Sequence, residues 1–99
     1  MFSRITRFQV ADGKEKELVA AYNATLEHVK AQKGFQEAVL MIDAEGNAVS
    51  VTFWDTKENL DASGKTTPGS VIEKILPMVR PYQKAPPVSV PFSVKLRVK

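Results

Sequence analysis

His28 is the one side chain in this 99-residue sequence whose ordinary pKa lies near neutrality, which makes it the first candidate for a general base. Taking 100° per residue, it sits about 100° from the centre of the apolar stripe formed by Leu18, Tyr22 and Val29. It is therefore either a flank residue that turns into a cavity or a solvated helix histidine. Tyr22 lies within the stripe, so its hydroxyl either reaches a cavity between helix and sheet or packs in the core with a local hydrogen bond. There are no cysteines, which removes thiolate metal sites and disulfides. With one histidine and scattered carboxylates, the residues for a protein-only metal site are not gathered anywhere. Gly64-Lys65-Thr66 imitates the end of a phosphate loop, but Asn59 stands where that loop needs its first glycine and no strand precedes it. Asn23-Ala24-Thr25 has the form of a glycosylation acceptor, but it falls inside a helical pattern.

The elements that must position these groups are legible in order. Phe2 to Val10 reads as a strand anchored by Ile5, Phe8 and Val10, with Arg4 and Arg7 between them, and Asp12-Gly13 turns out of it. Lys14 to about Gln32 reads as a helix roughly 27 Å long, with Leu18, Tyr22, Leu26 and Val29 at three- and four-residue steps and Gly34 ending it. Ala38 to Ile42 is apolar at consecutive positions, which predicts a strand covered on both faces. Gly46 closes a hairpin to Ala48–Trp54, in which Val49, Val51 and Phe53 share one face and are expected to pack under the helices. Asp55 or Thr56 then caps a short helix, with Glu58 placed for a capping box. A loop over Ser63–Gly69 leads to a helix from Val71 to Val79, with Pro77 expected to kink or shorten it. Val88 to Val98 alternates apolar and polar residues throughout, the pattern of a strand of roughly 35 Å, with Pro91 marking an edge or a bulge.

The order β-α-β-β-α-(α)-β is that of an α+β, ferredoxin-like plan, in which helices cover one face of a four-stranded antiparallel sheet. The other face is apolar in several places and is expected to meet a second copy, giving a homodimer. One domain over residues 1–99 suits this length. With 43% apolar and 25% charged residues the composition is that of an ordinary globular chain. The absence of a long apolar run speaks against a membrane span, and the start of the chain does not read as a signal peptide, so the expected compartment is cytoplasmic. The net charge of +3 carries no basic patch interleaved with aromatics, which argues against nucleic acid.

Two motifs carry a resemblance. Gly34-Phe35 follows a helix, and Val51-Thr52-Phe53-Trp54-Asp55-Thr56-Lys57-Glu58 ends a strand and opens the next helix. This resembles the antibiotic biosynthesis monooxygenase family, which carries a Gly-aromatic turn and a strand ending in Trp before a Ser/Thr and an acidic residue. The resemblance implies a dimeric α+β barrel and a cofactor-independent monooxygenase acting on a small aromatic or quinol-like substrate. His28 or Tyr22 would then act as base or donor, and Trp54 and Phe53 would form part of the substrate wall. The alternative is a non-catalytic dimer that binds a small apolar ligand. Ser63 stands where many members carry a histidine, and Arg7 lies near the place of an asparagine used by the haem-degrading branch, so haem chemistry is not expected. Neither flavin, metal nor haem is expected as a cofactor.

Overall fold

The alternation along the strands decides which side chains meet the helices, and the register fixes it residue by residue. A computed structural model describes residues 1–99. Its elements are β1 (Phe2–Gln9), α1 (Glu15–Val29), β2 (Phe35–Ile42), β3 (Asn47–Trp54), α2 (Lys57–Ser63), α3 (Val71–Val79) and β4 (Val88–Ser93), with a 3-10 turn over Arg80–Tyr82. The four strands form one antiparallel sheet in the order β2-β3-β1-β4, the ferredoxin-like arrangement. Across it, Thr6 pairs with both Ser50 and Ser89, and Arg4 with Thr52 and Pro91, so these side chains share the helix-covered face. Helices α1 and α3 pack on each other above that face, and α2 lies over β1 and β3.

Two local designs hold the connections. At the β2–β3 turn, Asp43 Oδ1 accepts the N–H groups of Glu45 and Asn47, both at 2.9 Å, while Gly46 takes φ +84°. The Asn47 side-chain amide also donates to Asp43 Oδ2 at 3.0 Å, and that bond first, with the Asn47 backbone N–H next, holds the Asp43 carboxyl below its usual pKa. At the other end, Gly34 also has φ +84°, and its carbonyl accepts the Asp55 N–H at 3.0 Å. A Cβ there would fall 2.2 Å from Asp55 Oδ1, so the backbone conformation and the close approach both demand glycine.

Several expectations need correcting. The first helix stops at Val29 rather than near Gln32, because the chain turns early to bring Phe35 against Trp54, their ring centroids 5.7 Å apart. Of the two expected caps of α2 it is Thr56 that serves, accepting the Asn59 N–H at 3.1 Å, and this corrects the capping-box position from Glu58 to Asn59. Pro77 is exposed and α3 continues past it to Val79. The period-two pattern of the last segment outruns its ladder: β4 ends at Ser93, and residues 94–99 have no regular structure, with Leu96 and Val98 each 84% exposed. Pro91 does sit on an edge strand, as its missing donor requires. The largest correction concerns β3. Ala48, Ser50 and Trp54 are the buried residues of that strand, whereas Val49, Val51 and Phe53 lie on the face away from the helices. That outer face also carries Val39, Met41, Val90 and Phe92, with Met41 52% exposed. The expected second cover on β2 is therefore absent within one chain.

Candidate functional site

The buried residues fall into two clusters rather than one. Val10, Leu18, Ala48 and Val79 make the first; Val29, Trp54 and Leu60 make the second. Between them, bordered by the sheet, α1 and α3 and partly open to solvent, lies a cavity of about 420 Å³. That is within the usual size of a small-molecule site. Ile72, Ile75, Leu76 and Val79 of α3 and Leu18, Leu26 and Val29 of α1 form its apolar roof, Trp54 lies at one end, and Pro86 and Pro87 border it from the connection into β4.

About half of the lining residues are polar, and most of these are already engaged. Thr25 Oγ1 donates to the Tyr22 carbonyl at 2.6 Å, and Ser63 Oγ donates to the Leu60 carbonyl at 2.5 Å. Trp54 Nε1 donates to Thr52 Oγ1 at 3.0 Å. Thr6 and Ser89 join hydroxyls at 2.8 Å. The other polar residues on the wall are the Tyr22–Ser50 pair, 2.5 Å apart across helix and sheet, and Arg4, Gln32, Thr66 and Gln83. Burial pushes the Tyr22 phenol up from its ordinary pKa, against a smaller opposite effect of the Ser50 hydrogen bond, so it remains a donor at neutral pH.

Arg4 reaches from β1 to donate Nη2 to the Leu60 carbonyl at 2.8 Å, and its Nε is buried without a partner. The three ion pairs of the chain are Lys57–Asp61, Lys84–Asp12 and Arg97–Glu37, so no carboxylate is bound to Arg4. Burial lowers its pKa, while the charge of Asp61 raises it. A guanidinium stays protonated through the neutral range all the same. Gly64 makes room for it, since a Cβ there would fall 2.3 Å from Nη2. Gln83, 7% exposed, also lines the cavity, and its Oε1 is buried with no donor.

The structure brings two of the four anticipated site residues into this cavity, Tyr22 and Trp54. His28 is half-buried on α1 and does not line it. Phe53 is on the opposite face of the sheet, where Arg97 covers its ring at 5.2 Å and pairs with Glu37 at 2.9 Å. A wall role for Phe53 in this cavity is thereby corrected, because strand alternation sends it the other way. Arg7 is likewise exposed on the outer face, and Ser63 lines the cavity. Arg4 and Gln83 were not anticipated; the shared parity of Arg4, Thr6 and Phe8 on β1 was the available signal for the first. No three His, Cys, Asp or Glu side chains converge as metal ligands, and no helix is long and apolar enough to cross a membrane.

The family model of antibiotic biosynthesis monooxygenases matches residues 1–68, which include β1, Tyr22, the Gly34 turn, Trp54 and Gly64. The chain belongs to the antibiotic biosynthesis monooxygenase family. No curated protein matches its sequence. Among solved structures, SnoaB, a cofactor-independent oxygenase from Streptomyces nogalater, aligns with a TM-score of 0.78 at 16% identity, over 98% of this chain and 95% of that one. A candidate antibiotic biosynthesis monooxygenase from Nitrosomonas europaea aligns at 0.75 and 16% identity, over 95% and 89%. Rv0793 from Mycobacterium tuberculosis aligns at 0.74 and 17%, over 99% and 98%. At these identities the likeness carries the monooxygenase-family fold over nearly the whole chain, and no more.

Proposed function

We propose that this member of the family is a cofactor-independent monooxygenase of a small aromatic or quinol-like substrate, working in the cytoplasm as a homodimer. The observation that carries the reading is the cavity itself, apolar over most of its wall, with the Tyr22–Ser50 hydroxyl pair turned to it. Such a site excludes water from a reactive anion and offers a fixed donor where negative charge develops.

The substrate acts as the reductant. Its monoanion gives one electron to dioxygen, and the substrate radical and superoxide combine at a ring carbon as a peroxide. The O–O bond then breaks with loss of water. In sum, one ring C–H becomes C–OH, the quinol becomes a quinone, and the second oxygen leaves as water with two hydrogens; every electron comes from the substrate. Tyr22 donates its proton to the peroxide oxygen, with Ser50 holding the phenol in place. Trp54, fixed by Phe35 and Thr52, supports the ring plane at the cavity's end.

One observation favours the second reading, a dimer that binds an apolar ligand without turning it over: no carboxylate or imidazole lines the cavity. Oxygen uptake by the purified dimer with a panel of simple hydroquinones separates the two. Uptake above the uncatalysed rate that falls in Tyr22→Phe supports the enzyme; saturable binding without uptake supports the carrier.

A further inference from the structure

One row of the sheet carries a hydroxyl at every position that the cavity reaches. Thr6 on β1 lies directly between Ser50 on β3 and Ser89 on β4, its register partners on either side. All three line the cavity, and Tyr22 joins the row from α1 above it. The hydroxyls are joined in pairs, Tyr22 Oη with Ser50 Oγ at 2.5 Å and Thr6 Oγ1 with Ser89 Oγ at 2.8 Å. Between the pairs stands a single step, from Ser50 to Thr6. Directly opposed residues of antiparallel strands hold their Cβ atoms about 4.5–5.5 Å apart, a spacing at which Thr and Ser hydrogen-bond. One side-chain rotation, or one water, closes the row. Its two ends differ. Ser50 is 8% exposed and holds the Tyr22 phenol, whereas Ser89 is exposed on the edge strand. A hydroxyl donates and accepts at once, so such a row can hand a proton from water to a buried phenol.

We propose that Thr6 and Ser89, through Ser50, form the proton path that recharges Tyr22 from solvent. This rests on the oxygenase reading, in which Tyr22 gives its proton to the peroxide oxygen. The phenolate left behind takes a proton from Ser50, Ser50 from Thr6, Thr6 from Ser89, and Ser89 from water. The hydroxide that remains outside is neutralised by the proton the substrate released on becoming a monoanion. No proton is gained or lost over the cycle. The path matters once a substrate fills the cavity, because water is then displaced from the open side of the phenol and Ser50 is the contact that stays. Burial holds the Tyr22 pKa high, which makes its phenolate a strong base and the return of the proton downhill. Thr6 and Ser89 act only through Tyr22, as positioning residues for its proton.

The test removes the middle hydroxyl and keeps its shape. Thr6→Val should lower kcat for oxygen uptake with a hydroquinone at least about tenfold and leave KM within about twofold, and Thr6→Ser should restore the rate. Imidazole buffer, a small proton donor, should recover part of the Thr6→Val loss. In the Tyr22→Phe background the same substitution should cost nothing further, because no phenol is left to recharge. A Thr6→Val protein at the wild-type rate, or one impaired by the same factor with and without the Tyr22 hydroxyl, would overturn the path. Exchange of the Tyr22 hydroxyl proton with water, read by NMR with toluene in the cavity, needs no turnover. It should slow several-fold in Thr6→Val. Ser89→Ala, at an exposed position that does not threaten folding, should slow it too, by less because water can stand in for the lost hydroxyl. An exchange rate that neither substitution changes would overturn the proposal. A protein that exchanges through the row but consumes no oxygen loses the oxygenase reading and keeps the path. One that oxidises quinols at full rate in Thr6→Val keeps its chemistry and loses the path.

Discussion

Tyr22 and His28 are both on α1, six residues apart, and their positions divide the chemistry between them. Tyr22 faces the cavity and touches Ser50; His28 does not line it. Removing a preorganised donor to developing negative charge costs roughly a hundredfold or more in rate when that donor is central. Tyr22→Phe should accordingly lower oxygen uptake by at least about tenfold while costing only about 1 kcal/mol of stability, and His28→Ala should leave uptake within about twofold. A His28→Ala protein as impaired as Tyr22→Phe would return the imidazole to the mechanism. The raised pKa of Tyr22 has a sign that can be checked. Its contribution to stability is fully present below the unfolded phenol's pKa of about 10 and is lost as pH climbs through the higher folded value. Chemical denaturation in alkaline solution should show wild type losing stability faster than Tyr22→Phe.

At the scale of elements, glycines set where the site's parts meet. Gly34 lies in the left-handed region against Asp55 and Asn59, joining the end of α1 to the start of α2 beneath Trp54. Gly34→Ala should cost about 1–3 kcal/mol, seen as a fall in Tm of at least about 4 °C. An unchanged Tm would mean that the turn relaxes freely. Gly64 has an ordinary φ of −99° and is needed only for the Arg4 guanidinium. These contrasts show what sequence could tell. The hairpin, the helix stripe and the edge position of Pro91 were legible because each rests on local chemistry. The face of β3 was read in reverse. Val49, Val51 and Phe53 are the more apolar set, but the cavity wall is built from Ser50 and Thr52, with Trp54 at its end. A strand that borders a cavity puts small polar groups inward, and its greasiest side is then free for something outside the chain. Arg4 was missed for a related reason: a lone arginine on a strand looks solvated until long-range packing supplies Leu60, Gly64 and the cavity around it.

On the whole-molecule scale, the outer sheet face is the feature one chain leaves unfinished. Met41, Val88, Val90 and Phe92 are all exposed there, and Leu96 and Val98 stand out from the tail beyond β4. Burying such a face against a second copy is the expected use of it, and light scattering at micromolar concentration should give about twice the 11.0 kDa of the chain. Deleting Phe92–Lys99 should yield monomer or aggregate, since it removes the end of β4 and the Arg97 cover on Phe53. A soluble truncated dimer would assign the contact to the sheet face alone. The central claim, however, concerns what the cavity does, and one measurement addresses it directly. The purified protein, incubated with a hydroquinone under isotopically labelled dioxygen, should release a hydroxyquinone carrying a single labelled oxygen, with one dioxygen consumed per substrate and the rate reduced in Tyr22→Phe. Product without label, hydrogen peroxide in place of water, or no consumption above the uncatalysed rate would contradict it.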